Sequence, residues 1–230
     1  MSKSFSDLRS ESLITEGVYD PGIFKAFFLA GGPGSGKSFV VKKTGALPSG
    51  LKVVNSDDAF EAGLKKAGLS MKMPDSETEA RDEVRARAKA ITKQRQSNYI
   101  DGRLGMVIDG TGKDYDKIVK QVAMLRGLGY DCYMIFVDTT LDVAKERNIK
   151  RDRTVPEDIV VDSWNEVQAN KGKLQSLFGR RRFMIVDNSK YNEDVLLKAF
   201  KHVTNHIKSP VKNPVARQWI EKELEARKRS

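Results

Sequence analysis

Apolar runs alternate along this chain with stretches of helical period, and the two kinds of segment predict different elements. Lys25–Ala30, Leu51–Asn55, Gly105–Asp109, Asp131–Asp138 and Arg182–Asp187 are short and apolar enough to be strands. Between them, Ala59–Ala67, Asp75–Tyr99, Leu141–Lys150 and Glu157–Phe178 carry helical spacing. In the second of these, Val84, Ala88 and Ile91 fall on one face. Asp114 is placed to cap a further helix, Tyr115–Leu128, which Gly129 stops. Strands alternating with helices predict an α/β fold, a parallel sheet covered by helices. Residues 1–22 form a polar leader ahead of this core, which is expected over residues 23–208. Ser209-Pro210 and Asn213-Pro214 then interrupt the helical pattern and set off a charged helix, Val215–Arg229, in a tail of residues 209–230.

With 230 residues the chain has room for one α/β core and small appendages. An apolar share of 39% supports a packed interior, and 31% charged residues fit a soluble surface. The longest apolar runs, Ala26–Ala30 and Cys132–Val137, are too short to cross a bilayer, so no membrane partner is expected. The first residues lack the apolar stretch of a signal peptide, and the single cysteine, Cys132, has no partner for a disulfide. Both point to a reducing, cytoplasmic setting. The net charge of +10 suits a polyanionic partner, which is either nucleic acid or the phosphates of a nucleotide.

The sharpest signal is Gly31-Gly32-Pro33-Gly34-Ser35-Gly36-Lys37-Ser38, which fits G-x-x-x-x-G-K-[ST] in full. It lies between the strand run Phe27-Phe28-Leu29-Ala30 and a segment, Phe39–Lys43, that can continue as a helix. Glycines let the backbone turn its N–H groups toward phosphate oxygens at a helix N-terminus. Gly32, Gly34, Ser35 and Gly36 are therefore expected to line phosphates, with Lys37 reaching the β- and γ-phosphates and Ser38 holding Mg²⁺. ATP and Mg²⁺ follow as the expected ligands. No N-K-x-D motif for reading guanine is present, and the run ending Ile108-Asp109-Gly110 lacks the acid pair of motor ATPases. The second strand runs into Asn55-Ser56-Asp57-Asp58, and strand C-termini form the ligand crevice of a doubly wound sheet. Asp57 is expected to take the proton of an attacking hydroxyl. The alternative is an aspartate cap for the helix at Ala59, which Asp58 can supply alone.

The phosphate loop followed by Asn55-Ser56-Asp57-Asp58 resembles the polynucleotide-kinase and zeta-toxin group of P-loop kinases, phage-encoded members included. Ile108-Asp109-Gly110-Thr111 resembles the E-G-T segment with which zeta toxins contact their acceptor sugar nucleotide. The segment Glu146-Arg147-Asn148-Ile149-Lys150-Arg151-Asp152-Arg153-Thr154-Val155-Pro156 resembles the arginine-bearing lid of both families. The resemblance runs from about Lys25 to Asn188. It implies a three-layer P-loop NTPase fold of kinase type, with a five-stranded parallel sheet and a helical lid. It also implies Mg·ATP as donor and an aspartate as base. Two positions depart from the group's pattern: Asp109 replaces a glutamate, and Phe60 stands where polynucleotide kinases carry an arginine for the acceptor's 3′-phosphate.

Within that pattern Asp109 is read as a Mg²⁺-water ligand, an acceptor contact or a plain loop acid. Thr111 is read as an acceptor contact or a turn residue. Arg147, Arg151 and Arg153 are expected to offset charge on the transferred phosphoryl group, Arg147 and Arg151 from one helix face; the alternative is a solvated basic face. The expected activity is phosphotransfer from ATP to a hydroxyl of a nucleic-acid 5′-end, a UDP-amino sugar or a nucleotide. A competing reading is an ATP-bound module that docks on another assembly through its leader and its C-terminal helix. Arg81, Arg85, Lys89 and Lys93 are either an acceptor-side wall or a solvated face. Asn188-Ser189 falls where adenine lies in such kinases, or is an ordinary turn. His202 and His206 read as a surface pair, and Trp164 and Trp219 as packing residues.

Overall fold

The computed structural model describes residues 17–44, 50–151 and 153–229. β1 (Lys25–Ala30) is buried along its whole length because it lies mid-sheet, between β3 (Met106–Asp109) and β4 (Asp131–Asp138). β2 (Lys52–Val54) pairs outside β3, and β5 (Phe183–Asp187) outside β4. All pairings are parallel, in the order β2-β3-β1-β4-β5. The helices are α1 (Lys37–Lys43), α2 (Asp57–Lys66), α3 (Thr78–Asp101), α4 (Tyr115–Gly127), α5 (Leu141–Ile149), α6 (Glu157–Phe178), α7 (Glu193–Lys208) and α8 (Pro214–Arg229). The expected α/β fold with a five-stranded parallel sheet is the one observed.

The pleat sorts β1 onto two cores, since successive side chains point to opposite faces. Ala26, Phe28 and Ala30 pack with Val122 and Leu125 of α4 and with Val167, Leu174 and Phe178 of α6. Phe27 and Leu29 pack with Val40 and Val41 of α1 and with Leu196, Ala199, Val203 and Ile207 of α7. A buried phenylalanine such as Phe28, whose ring centroid lies 5.5 Å from that of Phe178, is worth about 3–5 kcal/mol against alanine. Trp219 of α8 meets Phe24 edge-on at 5.5 Å, and Ala216 packs where Gly129 has no side chain.

Three local expectations change. Asp58 does not cap a helix: α2 begins at Asp57 with Ser56 at its N-cap and no side-chain cap bond. Asp57 and Asp58 both lie in the first turn, where the positive end of the helix dipole favours carboxylates. Asp114 does cap α4, accepting from Lys117 N at 3.0 Å. In α3, Val84 and Ala88 pack on Phe60 and Leu64, but Ile91 is 41% exposed. The ten residues of α2 cover only part of a 24-residue neighbour. His202 and His206 are half-buried rather than a surface pair. The His206 ring lies 4.2 Å from Tyr133, its Nε2 is 3.1 Å from Arg181 O, and burial pulls it down to about 4. Among the described residues no cluster suits a metal ion through His, Cys, Asp or Glu alone, and no helix is long and apolar enough to cross a membrane.

At the foot of the sheet, Lys25 and Asp131 begin adjacent strands and are both buried, with Nζ and Oδ2 3.4 Å apart. Burial pulls the Lys25 ammonium below its ordinary range and Asp131 pulls it back up. The Asp131 carboxylate also accepts from Lys212 N at 2.8 Å and lies 3.6 Å from Arg182. Removing one partner of a buried pair strands the other charge. Asp131→Ala is expected to cost about 3–5 kcal/mol in urea unfolding. A loss below about 1 kcal/mol, the scale of an exposed pair, would mean that water already reaches Lys25.

Candidate active site

The chain leaves β1 at Ala30 and must turn into α1 within the next few residues, and the backbone of the loop is shaped for that. Gly34 and Gly36 have φ of 78° and 84°, in the left-handed region that favours glycine. A Cβ at Gly34 would overlap the carbonyl oxygen of Ala144 in α5, and one at Gly36 would overlap Asn188 Nδ2. Asn188, buried just after β5, donates to Ser35 O at 2.7 Å and so ties the loop to the end of a strand two places away in the sheet. Asn188 thus acts on the loop's shape, a role its sequence position did not reveal. The first N–H groups of α1 have no partner inside the helix and face the same concavity. Gly32, Gly34, Gly36, Lys37 and Ser38 line it. Ser35 does not: its side chain is buried, and its Oγ makes no hydrogen bond.

The cavity above the loop has a volume of about 410 Å³. Asp57, Asp109, Thr111, Arg147, Arg151 and Arg153 complete its lining, so the sequence-predicted residues other than Ser35 converge on one space. Lys37 Nζ donates to Gly31 O at 2.7 Å. Withdrawal from water pulls its ammonium below the ordinary range, while Asp109 and Asp57 pull it back. Asp109 is the converse: burial pushes its carboxyl above the usual carboxylate range, and Lys37 opposes that. Its Oδ2 accepts from Asn55 Nδ2 at 2.9 Å, whereas Oδ1 is buried without a partner. Asn55 also accepts from Asp57 N at 2.8 Å, so one amide side chain sets the spacing of both acids.

The lid is a loop pinned at two ends. Asn148 donates to Val155 O at 2.7 Å and accepts from Val155 N at 3.1 Å, closing the segment between them. Because α5 ends at Ile149, Arg151 is not on a helix face with Arg147 as expected; the loop rather than the helix brings it to the cavity. Arg147 is half-buried on α5 with an unpartnered Nη1, 3.7 Å from where a Gly36 side chain would begin. Arg153 is buried and reaches across the cavity, with Nη2 3.2 Å from Asp57 Oδ2 and Nε 3.1 Å from Glu61. The Nε contact is close enough for ion pairing but too poorly aligned to be a hydrogen bond. Arg153 also stands 5.6 Å from the buried Phe60 ring, which Arg85 approaches at 4.3 Å from its own position.

Thr111 serves the loop through its backbone, its carbonyl accepting from Gly31 N at 2.8 Å, and its side chain faces the cavity. Trp164 packs as expected. Its Nε1 donates to Thr139 O at 2.8 Å, and its backbone lies against Gly32. Asn55, Glu61 and Asn148 are neighbours of the site that sequence reasoning did not single out, whereas Asn188, expected near adenine or in an ordinary turn, braces the phosphate loop. The residues present suit a triphosphate with a divalent metal. A glycine-built cradle offers N–H groups, four cations can meet phosphate oxygens, and the orphaned Asp109 Oδ1 and the Ser38 hydroxyl could hold the metal or its water.

Comparisons with known proteins agree with this geometry. The AvrRxo1-ORF1:AvrRxo1-ORF2 complex crystallised with sulphate ions is 14% identical, with a TM-score of 0.58 over 93% of this chain and 81% of that one. A structure of the PezAT chromosomal toxin-antitoxin system from Streptococcus pneumoniae is 12% identical, with a TM-score of 0.54 over 90% of this chain and 99% of that one. At these identities they share its fold. No curated protein matches the sequence at a significant level. A sequence family does: the AAA domain family AAA_33 matches residues 27–174, from the strand that feeds the phosphate loop to the helix behind the lid. The chain belongs to this AAA domain family.

Proposed function

We propose that the chain is an ATP-dependent kinase that transfers the γ-phosphoryl group to a hydroxyl acceptor. The observation that carries this reading is a carboxylate, Asp57, at the rim of the phosphate cradle, held there by the lid arginine Arg153 at 3.2 Å. An oxygen nucleophile that attacks phosphorus must shed its proton, and a carboxylate at this rim can take it. Nucleic-acid 5′-ends, UDP-amino sugars and nucleotides are the acceptor classes in view.

Bound in the cradle, Mg·ATP supplies the transferable phosphoryl group and metal charge to offset its oxygens. The loop amides and Lys37 would hold the β- and γ-phosphates, and Ser38 and Asp109 would hold the metal or its water. Asp57 Oδ2 is engaged by Arg153, so Oδ1 is left to take the proton as the acceptor oxygen attacks. The new bond joins that oxygen to the γ-phosphorus, the bond to the β–γ bridging oxygen breaks, and ADP leaves. Arg147 and Arg151 stabilise charge that spreads over the phosphoryl group in the transition state. Arg153 is a positioning residue, which ties lid closure to the orientation of the base.

Lys37→Ala should weaken ATP binding and remove nearly all turnover, as read by calorimetry and release of labelled phosphate. Parent-like turnover in a folded variant would overturn the phosphate-loop assignment.

Asp57→Asn should lower phosphoryl transfer by about two to four orders of magnitude while keeping most ATP affinity. Asp58→Asn is the control, since that side chain lies outside the cavity lining. Transfer of label into a hydroxyl panel, compared with ATP turnover alone, separates a kinase from an ATP-bound docking module. Equal transfer by Asp57→Asn and parent would end the base assignment.

Asp109→Asn separates stability from function. Because the folded-state pKa of Asp109 is raised, this group favours folding most at low pH, and that contribution is lost as pH rises through the raised value. Asn removes the buried charge and can still accept from Asn55. At pH 7 the variant without nucleotide should therefore melt at or above the parent, yet bind Mg·ATP more weakly. A clear drop in melting temperature would mean that attraction to Lys37 outweighs burial.

A further inference from the structure

A second cavity, of about 550 Å³, opens on the other side of Asp109 and Thr111, and those two residues line both spaces. Its outer walls are two helices that approach from different parts of the chain. Lys89 and Lys93, one turn apart on α3, line this cavity together with Lys113, just before α4, and Lys117 in its first turn. Among the described residues no carboxylate pairs with Lys89, Lys93 or Lys117, and Lys113 meets Glu166 only at 3.8 Å between exposed side chains. Asp114, the acid on this wall, has its carboxylate turned to Lys117 N as a helix cap. Gln96, on the α3 wall, has a buried Nε2 with no hydrogen-bond partner. Four ammonium groups and a spare amide donor thus gather where the proposed reaction needs its second substrate. On the other flank, Phe60 is sealed under Arg85 and Arg153, so that position offers packing and no phosphate contact.

We infer that this cavity binds a small acceptor carrying a phosphate group, such as a sugar phosphate or a nucleotide, with the phosphate on the lysines and the hydroxyl at Asp109 and Thr111. The inference rests on the kinase reading and narrows it. Cations on two walls match a multiply charged group, since each lysine adds a charge-assisted hydrogen bond. The cavity's volume is of the size class of small-molecule sites, which argues for a small ester over a polymer end. An acceptor seated here would meet the phosphate cradle only through the shared rim at Asp109 and Thr111, beside Asp57. That places its hydroxyl, and not its phosphate, next to the base.

Lysine footprinting tests the subsite without knowledge of the true acceptor. The full chain is saturated with a non-hydrolysable ATP analogue and Mg²⁺, then acetylated with and without inorganic pyrophosphate, and each lysine is read by mass spectrometry. Lys89, Lys93 and Lys117 should be protected several-fold, while Lys198 and Lys201 on α7 should not change. Uniform protection, or none, would overturn the subsite. In parallel, labelled transfer is offered ribose with ribose 5-phosphate, uridine with its monophosphate, and a 5′-hydroxyl oligonucleotide. The phosphorylated small member of a pair should be the acceptor. Lys93→Glu and Lys117→Glu should raise its KM by about tenfold or more, with the KM for ATP unchanged. Transfer only to the uncharged members or to the oligonucleotide would overturn the inference while leaving the kinase reading intact. Failure of the ATP analogue to bind would remove the kinase reading, and the subsite with it.

Discussion

The site depends on a turn with no room for side chains. Gly34 and Gly36 adopt left-handed backbone geometry while wedged against Ala144 on one side and Asn188 on the other. That wedge fixes where α1 starts, and so where Lys37 and Ser38 stand. It also seats α5, which carries Arg147, and the segment after β5, which carries Asn188. A larger residue at either glycine would have to displace backbone or a buried amide, so α1, α5 and the segment after β5 share one constraint. The sheet order supplies the rest. With β1 central, the ends of β1, β2 and β3 all open on the same crevice.

The second organising feature is charge held in near balance out of water. Lys37 and Asp109 are each pushed toward neutrality by burial, and each partly restores the charge of the other. Arg153 links the lid to Asp57 and Glu61 on α2, while Asn148 fixes the loop from which it projects. Movement of this loop must therefore exchange the ion pairs at Asp57 and Glu61. Perturbed ionisable groups gathered in one cleft suit a site for chemistry, although burial perturbs Lys25 in a purely structural pair as well.

Much of this was legible along the chain because it is local. The phosphate loop is a contiguous motif, the five strands are contiguous apolar runs, and Asp57 follows its strand after a turn of two residues. What sequence did not disclose acts across the fold. The bond from Asn188 to Ser35 spans 153 positions, and the bridge from Asn55 to Asp109 spans 54. The lysine spacing on α3 was ambiguous between a wall and a solvated face. Only the approach of α4 brings Lys113 and Lys117 into one cavity with Lys89 and Lys93. Asp58 looked like a cap because its neighbours favour one. The turn after β2 instead places Ser56 at that position and begins the helix one residue sooner than Asp58.

Cys132 gives the fold a chemical convenience. It is the chain's single cysteine, it lies fully buried on β4, and burial pushes its thiol up to about 12. Thiolate is the reactive form, so the native protein offers almost nothing to a maleimide at neutral pH. A cysteine engineered at an exposed lid position, such as Lys150, and another on α2 would take up fluorophores against a silent background. Motion between this loop and α2 could then be followed by energy transfer in otherwise unaltered protein.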